Sequence, residues 1–304
     1  MMNDIAEGDK PRTTSHEPRT TSHEPRATNH GPSAPKRRTI MIDIHSHILY
    51  DIDDGSESLD MSLQMLRMSV DSGVTDIIAT PHVNRQGHIP SWQTILDKAA
   101  ALQEEADKAQ IPIRIHTGAE VELNGDTLRF MKENHDDYCM AGSRYVMLEL
   151  TDQSQPDIVE KMIYELQMRG FLPLLAHVER YERLMERPET LLAWMNKGVL
   201  AQCNTGSFTG YFGSKLQQRV RDLYRNGMIH FLGSDGHRVE FRTTDIRKAH
   251  EELDRLAAKD KPHVNLWNTA TRNAEYILKN RVFYPDLPSH WQKEKKGFFH
   301  RLFG

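Results

Sequence analysis

The sequence lacks several features that mark common classes of protein. It has only two cysteines among 304 residues, Cys139 and Cys203, so neither a disulfide framework nor a thiolate zinc site is indicated. No apolar run approaches the roughly 18–20 residues that span a bilayer, and the N-terminus has no signal-peptide core. Positive charge is not in excess, since 39 lysines and arginines stand against 43 aspartates and glutamates. We therefore expect a cytoplasmic protein without a stable membrane anchor and without general affinity for nucleic acid.

The two ends of the chain differ in composition from its middle. Residues 1–38 contain no aromatic residue, few aliphatic residues and a seven-residue repeat with spaced histidines. We predict that this leader is disordered, because it has too little apolar surface to offset the entropy of ordering. Residues 285–304 are predicted to be a basic and aromatic C-terminal tail, and residues 39–284 the folded domain. The role of either tail is open.

In the middle of the chain, short apolar runs alternate with segments of helical period, which is the pattern of repeated βα units. The predicted strands are 42–47, 76–80, 113–121, 145–150, 172–178, 199–204 and 229–234. The predicted helices are 58–72, 91–109, 124–134, 156–169, 188–196, 214–226, 244–258 and 266–279. Four of these helices are followed within two residues by a glycine, which indicates a C-terminal cap. The pattern predicts an α/β protein with a parallel sheet or barrel.

Histidines recur at the carboxyl ends of the predicted strands, where α/β barrels place their active sites. The motifs are His45-Ser-His47, Thr80-Pro-His82, Ala176-His177 and Asp235-Gly-His237. Residues two apart on a strand share a face, so the two imidazoles of the first motif can reach one metal ion. Any one of these motifs is common outside metal sites. Four strands that end in this way indicate a shared site.

Carboxylates lie inside two of the apolar strands, where an unpaired charge is costly to bury. Glu149 needs a cation there unless an arginine or lysine pairs with it. Glu120 is the second case, but Glu122 shares its face, so the pattern does not choose between them. Three further carboxylates either supply an oxygen ligand or form a charged turn after the first strand, namely Asp51, Asp53 and Asp54.

Imidazoles and carboxylates without thiolates suit manganese, iron or zinc as the metal. Closely spaced ions of this kind generate hydroxide near neutral pH and stabilise in-line displacement at phosphorus. Arg180 and Arg242 follow two of the histidines closely and match phosphoryl oxygens with a planar fork of donors. A surface ion pair is the alternative for each arginine. The residues therefore favour a metal-dependent phosphoester hydrolase.

The ordered set of motifs resembles the polymerase and histidinol phosphatase (PHP) superfamily, and within it the bacterial protein-tyrosine phosphatases of capsule and exopolysaccharide operons. The resemblance covers residues 41–280. It rests on Asp43-Ile-His-Ser-His-Ile48 followed by Asp53-Asp-Gly55, on Ala176-His-Val-Glu-Arg-Tyr181 and on Ser234-Asp-Gly-His237. It implies a distorted TIM-like (β/α)7 barrel of the PHP type that dephosphorylates protein phosphotyrosine by attack of a metal-bound hydroxide. The partner it implies is an autophosphorylated bacterial tyrosine kinase that regulates polysaccharide synthesis.

The resemblance also implies a centre of three metal ions, commonly Mn²⁺. Carried over by motif, the first ion is held by His45, His47, Glu120 and Asp235. The second is held by Glu120, Glu149 and His177, and the third by Asp54, His82 and His237. Glu120 then bridges two ions, while Arg180 and Arg242 bind the phosphoryl group.

Other functions remain open. A small-molecule phosphatase of the histidinol-phosphate type or a PHP nuclease would use the same ligands, although the acidic balance disfavours the nuclease. A binding module that uses the metals only structurally would need closed coordination. A cysteine-dependent phosphatase is set aside, because Cys139 and Arg144 miss the Cys-x5-Arg spacing by one residue.

Overall fold

The computed structural model describes residues 41–132, 135–259 and 265–292, so the predicted leader and the chain after residue 292 lie outside the described residues. The strands are β1 (Ile42–Ser46), β2 (Asp76–Ala79), β3 (His82–Val83), β4 (Arg114–Thr117), β5 (Glu120–Glu122), β6 (Tyr145–Glu149), β7 (Leu172–Leu175), β8 (Leu200–Asn204) and β9 (Phe231–Gly233). The α-helices are α1 (Leu59–Asp71), α2 (Trp92–Lys108), α3 (Thr127–Phe130), α4 (Pro156–Met168), α5 (Glu182–Glu186), α6 (Pro188–Met195), α7 (Thr205–Phe208), α8 (Ser214–Arg225), α9 (Arg247–Lys259) and α10 (Leu266–Leu278).

All strand pairs are parallel, and their spatial order follows the chain. One sheet has the order β1-β2-β4 and the other β3-β5-β6-β7-β8-β9. Since β3 follows β2 and β5 follows β4 after two intervening residues each, the strands of the described chain occupy seven positions. Backbone hydrogen bonds join the end of β9 to the end of β1. The His47 amide donates to the Gly236 carbonyl at 2.8 Å, and the Asp235 amide donates to the His45 carbonyl at 2.8 Å. The predicted distorted (β/α)7 barrel is confirmed.

The longer helices lie outside the barrel and bury apolar residues against it. In α2 the buried positions are Ile95, Ala99, Leu102 and Ala106, which recur every three or four residues and therefore share a face. Ser91 caps the start of this helix, because its hydroxyl accepts a hydrogen bond from the Thr94 amide. The predicted glycine caps are also present, with positive φ at residues 73, 170, 198 and 227.

Apolar residues fill the floor of the barrel and leave its carboxyl end to polar groups. Tyr145 and Met147 of β6 belong to the interior cluster, whereas Val146 and Leu148 face the helices. The alternation of a strand places Glu149 on the inward side, directly after this apolar floor. The floor thus supports a polar mouth at the end of the barrel where parallel α/β proteins bind ligands.

A bulge in β1 sets the direction of the first histidine pair. Its pairing with β2 skips one residue between Asp43 and Ser46. Ile44 therefore packs in the interior cluster, while His45 and His47 reach the polar mouth from the same strand.

Several predicted boundaries are wrong. In the described part of the helix predicted at 124–134, only α3 is helical, since before it the Thr127 hydroxyl donates to the Glu122 carbonyl and accepts from the Asn124 amide. The short helices α5 and α7 have no counterpart in the prediction. Two residues of the predicted C-terminal tail, Leu287 and Trp291, pack against the core. In the described part of the chain, we find no helix with the length and apolar character needed to cross a membrane.

Candidate metal centre

The strand ends and the segments that follow them bring the predicted metal-binding side chains together at the mouth of the barrel. Most of them are buried, but the Asp54 side chain is half exposed and marks the solvent side of the cluster. Three overlapping groups within it have ligand atoms close enough to hold an ion. They are His45, His47, Glu120 and Asp235; then His82, Glu120 and Glu149; and then His47, Asp54, His82 and His237.

Glu120 lies at the centre of the cluster. Its Oε2 is 3.2 Å from His45 Nε2, 3.3 Å from His47 Nε2 and 3.2 Å from His82 Nδ1. Its Oε1 is 2.6 Å from His177 Nε2. Although burial opposes ionisation, the neighbouring His45 and His82 imidazoles hold the pKa of Glu120 well below its usual range.

Glu122 points elsewhere, so the geometry separates the two carboxylates that the sequence pattern left equivalent. Its Oε1 accepts a hydrogen bond from Asn124 Nδ2 at 3.1 Å, outside the cluster.

Asp235 joins the imidazoles from the segment that follows β9, the strand next to β1. Its Oδ1 lies 3.6 Å from His45 Nε2 and 3.5 Å from His47 Nε2. Its Oδ2 turns away from them and accepts a hydrogen bond from Asn204 Nδ2 at 2.6 Å. Although Asp235 is buried, His45 and the other cations around it hold its pKa well below the usual range.

His82 and His237 complete the solvent side of the cluster. Asp54 Oδ1 lies 3.4 Å from His82 Nε2 and 3.5 Å from His237 Nε2. Burial lowers the pKa of His82 to about 3 and that of His237 to about 4, which favours their neutral forms. Neutral imidazole is the form that binds a metal ion.

Hydrogen bonds on the far ring nitrogens fix the direction of the imidazoles. His45 Nδ1 lies 3.2 Å from Gln202 Oε1, and His47 Nδ1 lies 2.7 Å from Asp53 Oδ2. When these nitrogens donate, the Nε2 lone pairs are directed into the cluster. The sequence prediction left Asp53 undecided and missed Gln202. The signal for Gln202 was present, because Gln202 and Asn204 share one face of an otherwise apolar strand.

The arrangement fits metal ions better than hydrogen bonds between the side chains. Buried atoms without a hydrogen-bond partner among the described residues include Glu120 Oε2, Asp235 Oδ1, His82 Nδ1, Glu149 Oε2 and His237 Nε2. Each of these atoms faces another nitrogen or carboxylate oxygen of the cluster at 3.2–3.6 Å. Donors bound about 2.1 Å from one ion are separated by about 3.0–3.4 Å, so a shared cation accounts for both observations.

Glu149 is the clearest single case. Its Oε2 lies 3.5 Å from His82 Nδ1, and within the described ranges it forms no ion pair with lysine or arginine. Burial and the neighbouring Glu120 carboxylate raise the pKa of Glu149 to about 8. The arginine or lysine partner that the sequence left open is therefore absent from the described residues. His177 Nε2 lies 4.0 Å from Glu149 Oε1. That these two side chains bind the same ion stays a prediction.

We expect Glu149→Gln to weaken metal binding by about tenfold or more, because the amide retains the volume but not the charge of a ligand. Elemental analysis after dialysis at limiting metal measures the effect. Glu122→Gln is the matched control, since Glu122 pairs with Glu149 across neighbouring strands but lies outside the cluster. Equal metal content in both variants would show that Glu149 is not a ligand.

Two predicted arginines reach the cluster from its edge. Arg180 Nη1 donates to Asp235 Oδ2 at 3.2 Å, and Arg242 Nη2 lies 2.6 Å from the same oxygen. The Arg180 side chain is 40% exposed, so it is also open to solvent. A third arginine, Arg85, was missed by the sequence prediction and donates to Asp54 Oδ2 at 3.0 Å.

Left-handed backbone conformations coincide with these side chains. His177, Asp235 and Arg242 have φ values of 30°, 53° and 50°, although none of them is glycine. Each costs of order 1–3 kcal/mol and persists only where surrounding contacts impose it. The His177 amide, for example, donates to Gln202 Oε1 at 2.7 Å. Backbone strain is therefore found at residues whose side chains form the site.

The two cysteines lie away from this chemistry. Both are free and buried. Burial raises the pKa of Cys139 to about 12 and that of Cys203 well above its usual range, so neither thiol forms the thiolate that a cysteine nucleophile requires.

Known proteins are similar to this chain in sequence over most of its length. Residues 41–279 match the family described as capsular polysaccharide synthesis, CpsB/CapC. The tyrosine-protein phosphatase YwqE of Bacillus subtilis is 30% identical over 260 residues, which cover 85% of this chain and 100% of the relative. The putative tyrosine-protein phosphatase CapC of Staphylococcus aureus is 26% identical over 258 residues, which cover 85% of this chain and 99% of the relative.

Solved structures agree. A chain from the crystal structures of YwqE from Bacillus subtilis and CpsB from Streptococcus pneumoniae, described as metal-dependent tyrosine phosphatases, superposes with a TM-score of 0.75 at 29% identity, covering 83% of this chain and 100% of that chain. The lactonase Lmo2620 of Listeria monocytogenes, at 9% identity and a TM-score of 0.53, covers 82% of this chain and 96% of its own, and shares the fold alone. Because the family match spans most of the chain, this protein belongs to the CpsB/CapC family of capsular polysaccharide synthesis.

Proposed function

We propose that this protein is a metal-dependent protein-tyrosine phosphatase, which hydrolyses the phosphoester of phosphotyrosine in a bacterial protein. The observation that carries the proposal is the position of Asp235. Its Oδ1 faces His45 and His47, while its Oδ2 contacts Arg180 and Arg242. One carboxylate therefore lies between a set of metal-binding side chains and two arginines that suit phosphoryl oxygens. The activity in the names of the relatives supports phosphotyrosine as the substrate.

The proposed metal ligands are the nine that the resemblance implied, holding three ions. They are His45, His47, Asp54, His82, Glu120, Glu149, His177, Asp235 and His237. Manganese is the proposed metal, and iron or zinc would also suit these donors. When bound, the ions would lower the pKa of water and offset the negative charge that develops on the phosphoryl group.

The protein's own side chains have separable tasks in this reaction. Arg180 and Arg242 bind and orient the phosphoryl oxygens, because each keeps guanidinium donors beyond those used on Asp235. Gln202 and Asp53 keep the imidazoles turned toward the centre. The leaving phenolate, with a parent pKa of about 10, needs less help from a general acid than the alkoxide of serine would. This difference favours an aryl phosphate in a site where the carboxylate beside both arginines, Asp235, has a pKa held well below its usual range and so carries no proton to donate.

The proposed substrate protein is an autophosphorylated bacterial tyrosine kinase that regulates capsule or exopolysaccharide synthesis. The family description, capsular polysaccharide synthesis, supports this biological setting. We also propose a cytoplasmic location, which the two unpaired cysteines support. The proposed phosphatase domain comprises residues 39–284, between the leader and the tail.

The test compares four substrates with one manganese-loaded preparation: a phosphotyrosine peptide, a phosphoserine peptide, histidinol phosphate and a single-stranded oligonucleotide. We expect kcat/KM for the phosphotyrosine peptide to exceed that of each other substrate by about a hundredfold or more. Glu120→Gln, purified in parallel, controls for contaminating phosphatases. Faster hydrolysis of histidinol phosphate or of the oligonucleotide would replace the proposal with the corresponding alternative. No turnover with tightly bound metal would favour a structural role for the cluster.

A further inference from the structure

Aromatic side chains are exposed beside the cluster. Tyr211 is 52% and Phe241 57% exposed, and their ring centroids lie 5.7 Å apart. Phe212 extends this group, with its ring centroid 5.1 Å from that of Tyr211. We refer to Tyr211, Phe212 and Phe241 as the aromatic rim. Contiguous exposed apolar surface is unfavourable in water, and where it persists it commonly marks a binding surface.

Phe241 is fixed next to the phosphoryl side of the site. It directly precedes Arg242, whose Nη2 lies 2.6 Å from Asp235 Oδ2. The Arg242 carbonyl accepts a hydrogen bond from the His237 amide at 2.6 Å. The loop that presents Phe241 is therefore tied at its base to two of the proposed metal ligands, and its ring cannot lie far from the arginine that follows it.

Tyr211 and Phe212 approach the same place from the neighbouring strand. β8 ends at Asn204, whose Nδ2 donates to the same Asp235 oxygen at 2.6 Å, and α7 follows directly. The Phe212 ring lies against Gly206, where an added Cβ would be 2.9 Å from Phe212 Cε2. Only glycine at this position leaves room for the ring as it is packed. The rim thus lies on two segments, one that includes Arg242 and one that follows Asn204, and both of these residues contact Asp235.

We propose that the aromatic rim binds the phenyl ring of phosphotyrosine while Arg180 and Arg242 bind its phosphoryl group, and that this contact selects aryl over alkyl phosphate monoesters. The inference rests on the proposed function and names the residues that set its substrate class. In phosphotyrosine, a single oxygen joins the phosphoryl group to the ring. The site has groups for both parts in the same order: Arg242 would bind the phosphoryl group, and Phe241, next to it in the chain, would contact the phenyl ring.

The chemistry of the rim suits this occupant. Aromatic rings gain from tilted and edge-to-face contacts in addition to the burial of apolar surface. The Tyr211 and Phe241 rings are inclined by 49° and leave their outer edges open, so a third ring has apolar surface to cover. Phosphoserine has only a methylene group at the same point and would leave these edges in water.

The test uses the manganese-loaded full chain and Phe241→Ala. We expect KM for a phosphotyrosine peptide to rise by about tenfold with kcat changed by less than about twofold, because a contact made equally in ground and transition states affects binding alone. Calorimetry with two unreactive probes gives a second readout. The Kd of phenylphosphonate should rise by about tenfold, and the Kd of methylphosphonate should stay the same.

Two further variants make the comparison specific. Phe241→Trp should restore binding of phenylphosphonate, since it supplies another aromatic face. Tyr164→Ala removes a ring of similar exposure, 58%, from α4, and should change neither probe.

The outcomes separate the inference from the proposed function. Equal weakening of both phosphonates by Phe241→Ala would mean that Phe241 acts by positioning Arg242, and the inference would be wrong. No change in either probe, with wild-type protein hydrolysing the phosphotyrosine peptide, would overturn the inference and leave the proposed function standing. Failure of the wild-type protein to hydrolyse any phosphotyrosine peptide would overturn both.

Discussion

Removal of bound metal is expected to lower kcat/KM for a phosphotyrosine peptide by about a thousandfold or more, and addition of Mn²⁺ is expected to restore it. The charges of the mouth give the reason. Glu120, Glu149, Asp54 and Asp235 converge there, and the arginines that pair with them among the described residues are Arg85 on Asp54 and Arg180 and Arg242 on Asp235. A phosphate dianion is repelled by such a site unless bound cations reverse its net charge.

The measurement pairs elemental analysis with steady-state kinetics before and after chelation and gel filtration. Thermal unfolding is recorded on the same samples, because loss of the ions leaves like charges together and should lower the melting temperature. Circular dichroism at the assay temperature separates loss of chemistry from loss of fold. Full turnover by a preparation shown to contain no metal would refute the proposed chemistry.

Thiol chemistry provides the matched control for this experiment. Both cysteines are fully or almost fully enclosed, so iodoacetamide should leave turnover of the metal-loaded protein unchanged. A double variant, Cys139→Ala with Cys203→Ala, should also keep its turnover, since alanine adds no buried hydroxyl to the core. A large loss of activity in a folded, metal-loaded double variant would revive a cysteine nucleophile.

Periodicity in the sequence was sufficient for the order of the barrel strands but not for their interruptions. The strand predicted at 113–121 is divided into β4 and β5 at Gly118. An added Cβ at Gly118 would lie 3.1 Å from Ile78 Cγ2 and 3.3 Å from Met140 Cα, so the break belongs to a close approach between elements. Such an approach is a tertiary property. Helices of four or five residues, such as α5 and α7, are likewise too short to show a helical period.

For the site, the sequence indicated which residues converge but not how they share atoms. Histidines and carboxylates at strand ends predicted a shared site, because parallel strands end at one mouth. The choice of Asp54 and of Glu120 over Glu122 came only from the resemblance to the family. The sequence could not show that His82 belongs to two groups of ligands. Its Nδ1 faces Glu120 and Glu149, while its Nε2 faces Asp54. One ring can adjoin two groups of ligands only through its orientation, which a linear pattern does not contain. The orienting role of Gln202 depends on a contact across 157 residues of sequence.

Asp235 has the role of a divider between the metal side and the phosphoryl side of the site. Its two oxygens face different partners, and Asn204 supports the oxygen that faces the arginines. This division allows the arginines to be tested apart from the metal ligands. Because Asp235 Oδ2 keeps contacts from Asn204 and Arg242, loss of Arg180 should not leave that oxygen unpaired.

Arg180→Ala is therefore expected to lower turnover of a phosphotyrosine peptide by about a hundredfold or more while the metals stay bound, on the scale of losing one preorganised donor. Arg180→Lys should recover only part of the loss, because a point charge does not reproduce two parallel hydrogen bonds to phosphoryl oxygens. Arg183→Ala, an exposed arginine three residues along the chain, is the control and should keep full turnover.

Elemental analysis and kinetics on the same samples separate the two roles open to Arg180. Loss of metal from either Arg180 variant would show that its contact with Asp235 supports the ligands, despite the donors that remain on Oδ2. Unchanged turnover with the metals in place would show that Arg180 is only an ion-pair partner at the surface. A fall in turnover with full metal content would exclude both of these roles. The metal ligands would be intact, and yet the reaction would be slower. The Arg180 guanidinium would then act on the phosphoryl group itself, from the side of Asp235 Oδ2, where Asn204 and the two arginines lie.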